Sequence, residues 1–343
     1  MKGCGLFFLS VIFCACSLAQ SKSTQQKSIA QQKAIEPAGL NLENITYPFP
    51  VNYVSASTQW QPLKMAYMDV QPDNPNGKTI LLLHGKNFNG AYWENTAKEL
   101  KKKGYRVVIP DQLGFGKSTK PRHFQYSFQL LASQTKALLD SLNISKTIVV
   151  GHSMGGMLAA RFAIMYPTVT EKLVLEDPLG MEDYQAKIPY QPIEYWYNSE
   201  LKQDYNSLKK YQQDNYYHGT WRQEYEKWVM ILARWTMNQD YSIIAWNSAL
   251  TYDMIMTQPV VYEISQVQAP TLIIAGELDK TAVGKSLATG DVSKTMGNYV
   301  ELAKQTAEKI KGAQFVIVPK TGHIPHLESF EIFMKHLLAF LNE

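Results

Sequence analysis

Cysteine is almost absent. The chain has 343 residues and three cysteines, Cys4, Cys14 and Cys16, all near the start. Beyond them no disulfide, cysteine-held metal or thiol nucleophile can form. Charge of one sign is also scarce. The 34 Lys and Arg are offset by 30 Asp and Glu, for a net +4, and the two signs are interspersed. Nucleic-acid binding calls for basic residues gathered on one face, so no nucleic-acid partner is expected. Apart from His323 and His326, the histidines (His84, His123, His152, His218 and His336) lack paired ligand spacing, so no metal site is expected. No internal repeat is visible. With 45% hydrophobic and 19% charged residues, wholesale disorder is excluded and a sizeable core is within reach.

The N-terminus reads as an export signal. Lys2 is followed by the apolar run Leu6 to Cys16, too short for a stable membrane span, and Ser17-Leu18-Ala19 ends it as a peptidase site would. Cleavage after Ala19 would leave residues 1–19 as signal peptide and send the product to the periplasm or outside the cell. The alternative is a lipoprotein: Cys16 follows the small residue Ala15, and a lipid anchor on it would tether the protein. Residues 20–43 are assigned to a flexible leader, being rich in Gln, Lys and Ser over 20–40.

From residue 62, short apolar runs alternate with amphipathic ones. Strands are expected over 78–83, 105–110, 146–150 and 171–175, with helices over 91–103, 127–142 and 154–165 between them. The rhythm breaks at Pro178. Residues 178–268 hold five of the seven tryptophans and twelve of the twenty tyrosines and read as largely helical. Strands over 271–275 and 314–318 and helices over 299–311 and 329–341 follow. Strand and helix in alternation predict a mostly parallel sheet covered on both faces. The core is then 44–177 with 269–343, and 178–268 a helical cap inserted into it.

The strongest local signal is Val149-Val150-Gly151-His152-Ser153-Met154-Gly155-Gly156, a strand running into G-x-S-x-G and then a helix. A tight strand-to-helix turn leaves no room for side chains, hence the glycines, and it lifts the serine hydroxyl above the sheet edge. A serine needs a base. His323, in the loop after strand 314–318, fits; its rival His326 precedes a helix start and reads as a surface or capping residue. A carboxylate should orient the imidazole. Asp279, after strand 271–275, is the first choice, with Asp177 the alternative acid and Glu277 a further rival. Two backbone amides should face the developing oxyanion: that of Met154, and that of Lys86 in the loop after strand 78–83, with Asn87 an alternative. His84 reads as a brace for that loop. Asp111 to Ser118 reads as a structural turn, since a P-loop would need glycine at 111.

LLLHGKNFNG, PDQLGFGKS, VVGHSMGG, AGELD and TGHIPH, taken together, resemble the α/β-hydrolase superfamily, serine hydrolase branch, over roughly residues 45 to 343. The chain is also similar to a group of exported bacterial hydrolases whose substrates are unassigned. The resemblance implies an eight-stranded, mostly parallel α/β sheet, a Ser153–His323–Asp279 triad and a helical cap that selects substrate. No cofactor is implied. Relatives that dehalogenate or open epoxides resemble the fold but carry aspartate where Ser153 stands. Lys86-Asn87 replaces the usual residues after His84-Gly85 and suggests a polar pocket floor.

Aromatics of the insertion, Trp196, Trp221 and Trp228 among them, could line a pocket with Asn87 and Phe88, although packing helices together is the usual use of such rings. The leading functional reading is a carboxylic-ester hydrolase working on a small molecule through an acyl-enzyme. The second keeps the triad for C–C, lactone or peptide-amide hydrolysis, as in an aminopeptidase. A non-catalytic binding protein on the same scaffold is the third.

Overall fold

The apolar runs become strands because their β-branched and leucine side chains fill both faces of a sheet at once. The computed structural model describes residues 35–343. The expectations on the signal peptide, on Cys16 and on the leader up to residue 34 lie outside the described residues. Eight strands form: β1 (Val51–Ser55), β2 (Lys64–Val70), β3 (Thr79–Leu83), β4 (Arg106–Pro110), β5 (Thr147–His152), β6 (Thr170–Glu176), β7 (Thr271–Gly276) and β8 (Gln314–Val318). They pair in the order β1-β2-β4-β3-β5-β6-β7-β8. Only β2 runs against its neighbours; every pairing from β4 to β8 is parallel.

Alternation along the strands divides the core in two. Leu81, Leu83, Val149, Leu173, Leu175 and Ile273 face one side. Ile80, Leu82, Ile148, Val150, Val174, Leu272 and Ile274 face the other. Helices α1 (Glu94–Lys102), α2 (Phe128–Ser141) and α3 (Met154–Met165) follow β3, β4 and β5. Between β6 and β7 come α4 (Ile193–Glu200), α5 (Tyr205–Tyr211), α6 (Glu226–Thr236) and α7 (Tyr241–Thr257); α8 (Gly290–Thr295), α9 (Tyr299–Lys309), α10 (Pro325–Glu328) and α11 (Phe330–Asn342) close the chain. α2, α3 and α9 cover the first face, through residues such as Leu131, Phe162 and Ala303. α1 and α11 cover the second, through Ala97, Leu100, Phe333 and Leu337. Each fully buried side chain of this size contributes about 1.5–3 kcal/mol. None of the described helices is long and apolar enough to cross a membrane.

The six strands expected from periodicity form within two residues of their predicted ends. β1 and β2 carry no such signal: β1 is half exposed, on the sheet edge. The leader needs correction at its C-terminal end. Residues 38–42 are not solvated: Ala38 and Leu42 are fully buried. The amide of Ala38 donates to the Arg234 carbonyl at 2.8 Å, and Trp235 Nε1 donates to the Gly39 carbonyl at 2.9 Å. Two small apolar residues among glycine and asparagine give too weak a pattern to be seen, yet suffice to seat the strap on α6.

Asp111 is the hub of the turn after β4. Its carboxylate accepts from the Gly90 amide at 2.6 Å, the Lys117 amide at 2.7 Å and the Tyr47 hydroxyl at 2.8 Å. Lys120 points its ammonium at the carbonyls of Gly116 and Ser118, and burial pushes its pKa down to about 7. This turn is structural, as its sequence suggests.

Candidate active site

β5 ends at His152 and α3 begins at Met154, so Ser153 alone makes the bend. It does so at φ 57°, ψ −120°, a region costly for any residue with a Cβ. The strain is held by its neighbours: the Ser153 amide donates to the Glu176 carbonyl at 3.0 Å, and the Ser153 carbonyl accepts from Gly156 at 2.9 Å. Glycine is required at 155, where a Cβ would collide with the backbone oxygens of Leu83 and His84.

His323 arrives on the loop after β8. Its amide donates to the Tyr216 carbonyl at 2.7 Å, and the flanking amides of Gly322 and Ile324 each donate to Glu328 at 3.1 Å. Glu328 is thereby buried among backbone groups, and desolvation pushes its pKa up to about 7. The Tyr216 ring stacks on the imidazole with centroids 5.2 Å apart. Tyr216 closes a π-helical turn, Gln212–Tyr216, that aims its carbonyl at the loop. His323 Nε2 lies 2.9 Å from Ser153 Oγ, and Nδ1 lies 2.6 Å from Asp279 Oδ2. Asp279 Oδ1 accepts from the Thr281 amide at 2.8 Å. Serine, histidine and aspartate thus meet as the sequence predicted, all buried. A carboxylate oxygen can only accept, so Nδ1 bears the proton and Nε2 is free to receive the hydroxyl's.

The alternatives fall elsewhere. Glu277 accepts from the Lys320 amide at 2.8 Å and ties two loops together. Asp177 accepts from the Gly276 amide at 3.0 Å and lies within 4.8 Å of Asp279, which is the carboxylate bonded to the ring. His326 is neither surface nor cap residue: it is fully buried, its Nδ1 2.9 Å from Glu176 Oε2, its ring stacked on Trp93 at 4.0 Å. The helix start places it inward because Pro325 opens the turn and the Glu176 carboxylate takes the His326 amide at 2.7 Å. One oxygen each of Asp177 and Asp279 and one His323 nitrogen lie within 4.8 Å of one another. A cation held there would have to break the Asp279–His323 hydrogen bond, so the donor set suits a proton better than a metal ion.

The loop after β3 abuts the serine: a Cβ on Gly85 would lie 3.1 Å from Ser153 Cβ. Neither the Lys86 nor the Met154 amide donates to a protein acceptor among the described residues. Asn87, at φ 69°, turns the loop. His84 braces it, accepting from the Gln112 amide at 3.0 Å and facing the Gly85 carbonyl at 3.0 Å.

A buried relay that the sequence did not reveal crosses behind the site. His152 Nε2 faces the His323 carbonyl at 2.7 Å and must donate to it. His152 Nδ1 is then an acceptor and takes the Tyr92 hydroxyl at 3.0 Å. The Tyr92 oxygen in turn accepts from the Gly85 amide at 2.9 Å. Burial, helped by His323 and His326 nearby, holds the His152 pKa well below the usual histidine range, which keeps the ring neutral as the relay requires.

Beside the loop after β3 is a small cavity of about 40 Å³, lined by Asn87, Phe88, Phe115, Glu200, Trp235 and Ser248 among others. Lys86 points its ammonium at Ser248 Oγ, 2.5 Å away, and lies 3.6 Å above the Tyr252 ring centre. Burial pushes its pKa down to about 8, with Glu200 opposing the shift. Asn87 Nδ2 donates to the Tyr216 hydroxyl at 2.9 Å. Asn87, Glu200 and Ser248 give this cavity polar lining, and Lys86 reaches it through Ser248. Of the predicted pocket residues, Asn87 and Phe88 line this cavity. Trp196 stacks on Tyr252, Trp221 packs on Tyr217 and Tyr225, and Trp228 meets Tyr92 edge-on. None of the three lines this cavity; Trp196 lines a separate one with Tyr190 and Asp253, and Trp221 Nε1 donates to Glu226 at 3.3 Å.

Known proteins agree with this fold. A probable hydrolytic enzyme from Pseudomonas aeruginosa is 47% identical, with a TM-score of 0.88, covering 90% of this chain and 99% of that one. Lipase 3 of a Moraxella species is 35% identical over 127 residues, 37% of this chain and 38% of that protein. A 2-hydroxy-6-oxo-6-phenylhexa-2,4-dienoate hydrolase of Burkholderia cepacia is 35% identical over 112 residues, 32% of this chain and 39% of that protein. The chain spans less than two fifths of the length of these curated relatives. The α/β-hydrolase fold family matches residues 78–330, and with the sheet order and the strand-to-helix bend at Ser153 this establishes that the chain belongs to that family.

Proposed function

We propose that the protein is a serine hydrolase that cleaves a carboxylic ester of a small molecule through an acyl-enzyme on Ser153. The observation that carries this reading is the unbroken buried chain from Ser153 Oγ through His323 to Asp279, at 2.9 and 2.6 Å. In it, Nε2 takes the hydroxyl proton as Oγ attacks the carbonyl carbon, and Asp279 stabilises the imidazolium so formed. The amides of Lys86 and Met154, free of protein acceptors, receive the oxyanion. His323 then returns its proton to the leaving alcohol, and a water activated by the same nitrogen releases the acid. Residues 178–268 act as the cap that chooses the acyl or alcohol part, and the N-terminal segment directs export.

The second reading, hydrolysis of a C–C bond, lactone or amide, uses the same groups. The buried Lys86, Asn87 and Tyr216 cluster favours it, since a polar floor suits a substrate with oxygens beyond the reacting carbonyl. The test is labelling with a fluorophosphonate, followed by turnover of p-nitrophenyl esters, lactones and peptide amides. Labelling of Ser153 with ester turnover supports the first reading. Labelling with turnover of another class alone moves the assignment to the second, and no labelling sinks both.

A further inference from the structure

Asp177 was weighed in the sequence as a rival for Asp279, yet both carboxyl groups are present at one place. Asp177 follows β6 and Asp279 follows β7, and the two strands are adjacent. Both side chains are buried, and one carboxylate oxygen of each lies within 4.8 Å of the other. Two neighbouring buried carboxyl groups disfavour a second negative charge, since burial and like charge both penalise it.

The donors around the pair decide which one is charged. Asp279 receives one N–H on each oxygen, from His323 Nδ1 at 2.6 Å and from Thr281 at 2.8 Å. Asp177 receives a single N–H, that of Gly276, shared between its oxygens at 3.0 and 3.2 Å. The other ionisable groups near the pair include Glu176, Glu182, Tyr184, Tyr211, Tyr299 and Glu328, and the cation Lys285, with Lys280 next to Asp279 in the chain. Lys285 spends its ammonium on the carbonyls of Lys280 and Met296. Nothing here rewards a second negative charge.

We infer that Asp177 is a positioning residue held as a neutral carboxylic acid, whose O–H donates to Asp279 and fixes the carboxylate that orients His323. The unit is then Ser153–His323–Asp279 with a fourth member behind it. Burial and the nearby Asp279 both push the Asp177 pKa up, in agreement. The hydrogen bond spreads the charge of Asp279 and stops its carboxyl from rotating off the ring. The inference rests on the proposed role of the triad only for its effect on rate; the protonation state stands apart.

The experiment compares the full chain with Asp177→Asn and Asp177→Ala. Infrared difference spectra between wild type and Asp177→Asn should contain the C=O band of a buried protonated carboxylic acid from about pH 5 to pH 8. An amide can replace the acid, its N–H donating to Asp279 and its oxygen accepting from Gly276. Asp177→Asn should therefore keep kcat within about threefold and leave the acid limb of kcat/KM in place, while Asp177→Ala loses about tenfold or more in kcat with KM little changed. If Asp177→Ala does not fold, the infrared comparison still decides. Absence of the acid band in wild type overturns the inference. So does a shift of the acid limb by about one pH unit or more in Asp177→Asn, since that marks the removal of a charge. An acid band from a protein with no hydrolytic turnover would leave the inference standing and the proposed function fallen.

Discussion

His152 hands a hydrogen bond from its ring to the main-chain oxygen of His323, 2.7 Å away. The residue before the serine thus holds the loop that carries the base, and the sense of that bond fixes every other along the relay to Tyr92 and Gly85. The His323 loop and the loop after β3 are connected through one imidazole and one phenol.

Tyr92→Phe tests that link. It removes the donor to His152 and the acceptor for the Gly85 amide, leaving two buried polar groups without partners. Each such group costs about 1–3 kcal/mol. The melting temperature should fall. The loop that presents the Lys86 amide should loosen, lowering kcat about tenfold with KM within about twofold. Calorimetry and steady-state kinetics check both. A lower melting point with unchanged kcat would make the relay a brace alone.

The triad geometry sets the next expectation. Ser153→Ala should abolish fluorophosphonate labelling without altering the fold, since the backbone already supplies the bend. Asp279→Asn keeps the side-chain shape but lets the amide favour the wrong ring tautomer. It should reduce kcat by about two to four orders of magnitude. Mass spectrometry of the labelled protein and ester kinetics are the measurements. A loss of that size in Asp177→Asn with Asp279→Asn near wild type would reverse the roles of the two acids.

What was legible in the sequence was what local geometry dictates. Ser153 declares itself by glycines that only a tight turn demands, and His323 and Asp279 by lying just after strands in a required order. β3 to β7 were legible because strands buried on both faces are nearly uninterrupted apolar runs, and β8, partly exposed at the sheet edge, because Phe315 to Val318 is apolar all the same. Tyr92, Glu176 and Glu328 were not, because each acts on a backbone group that has no sequence signature, Glu176 from 150 residues away. His152 adjoins the serine, so its nearness could be seen, but not the direction its ring faces. The pocket tryptophans failed for a related reason: composition counts rings without saying whether they face a cavity or each other.

Glu328 gives the fold a pH dependence of known sign. Its pKa is raised to about 7 in the folded protein, above the ordinary value of 4.5. The native state therefore holds this proton more tightly than the unfolded chain. Its contribution to stability is complete below about pH 4.5 and is lost as pH rises through about 7. Glu328→Gln cannot titrate. The melting temperature of the wild type should fall relative to that of Glu328→Gln across this window. A gap between the two proteins that does not change with pH would contradict the assignment.

Gly155→Ala separates steric necessity from backbone freedom. Alanine is the better helix former by about 1 kcal/mol, so propensity alone predicts stabilisation. The added methyl, however, would run into the Leu83 and His84 carbonyl oxygens. Those atoms cannot yield cheaply, because β3 is paired on both sides, with Leu83 opposite Gly151. Relief requires α3 to move away from β3, which would separate the Met154 amide from the Lys86 amide. Overpacking of this kind costs about 1–3 kcal/mol or more. The melting temperature and kcat should therefore fall together. Gly219→Ala is the control: φ is +85° there, with no atom within 4 Å of the new methyl, so the cost is backbone strain alone. It should lower stability by about 1–2 kcal/mol and leave kcat as it is. If Gly155→Ala matched wild type in both, the close approach of α3 to β3 would not be what holds the two amides in register.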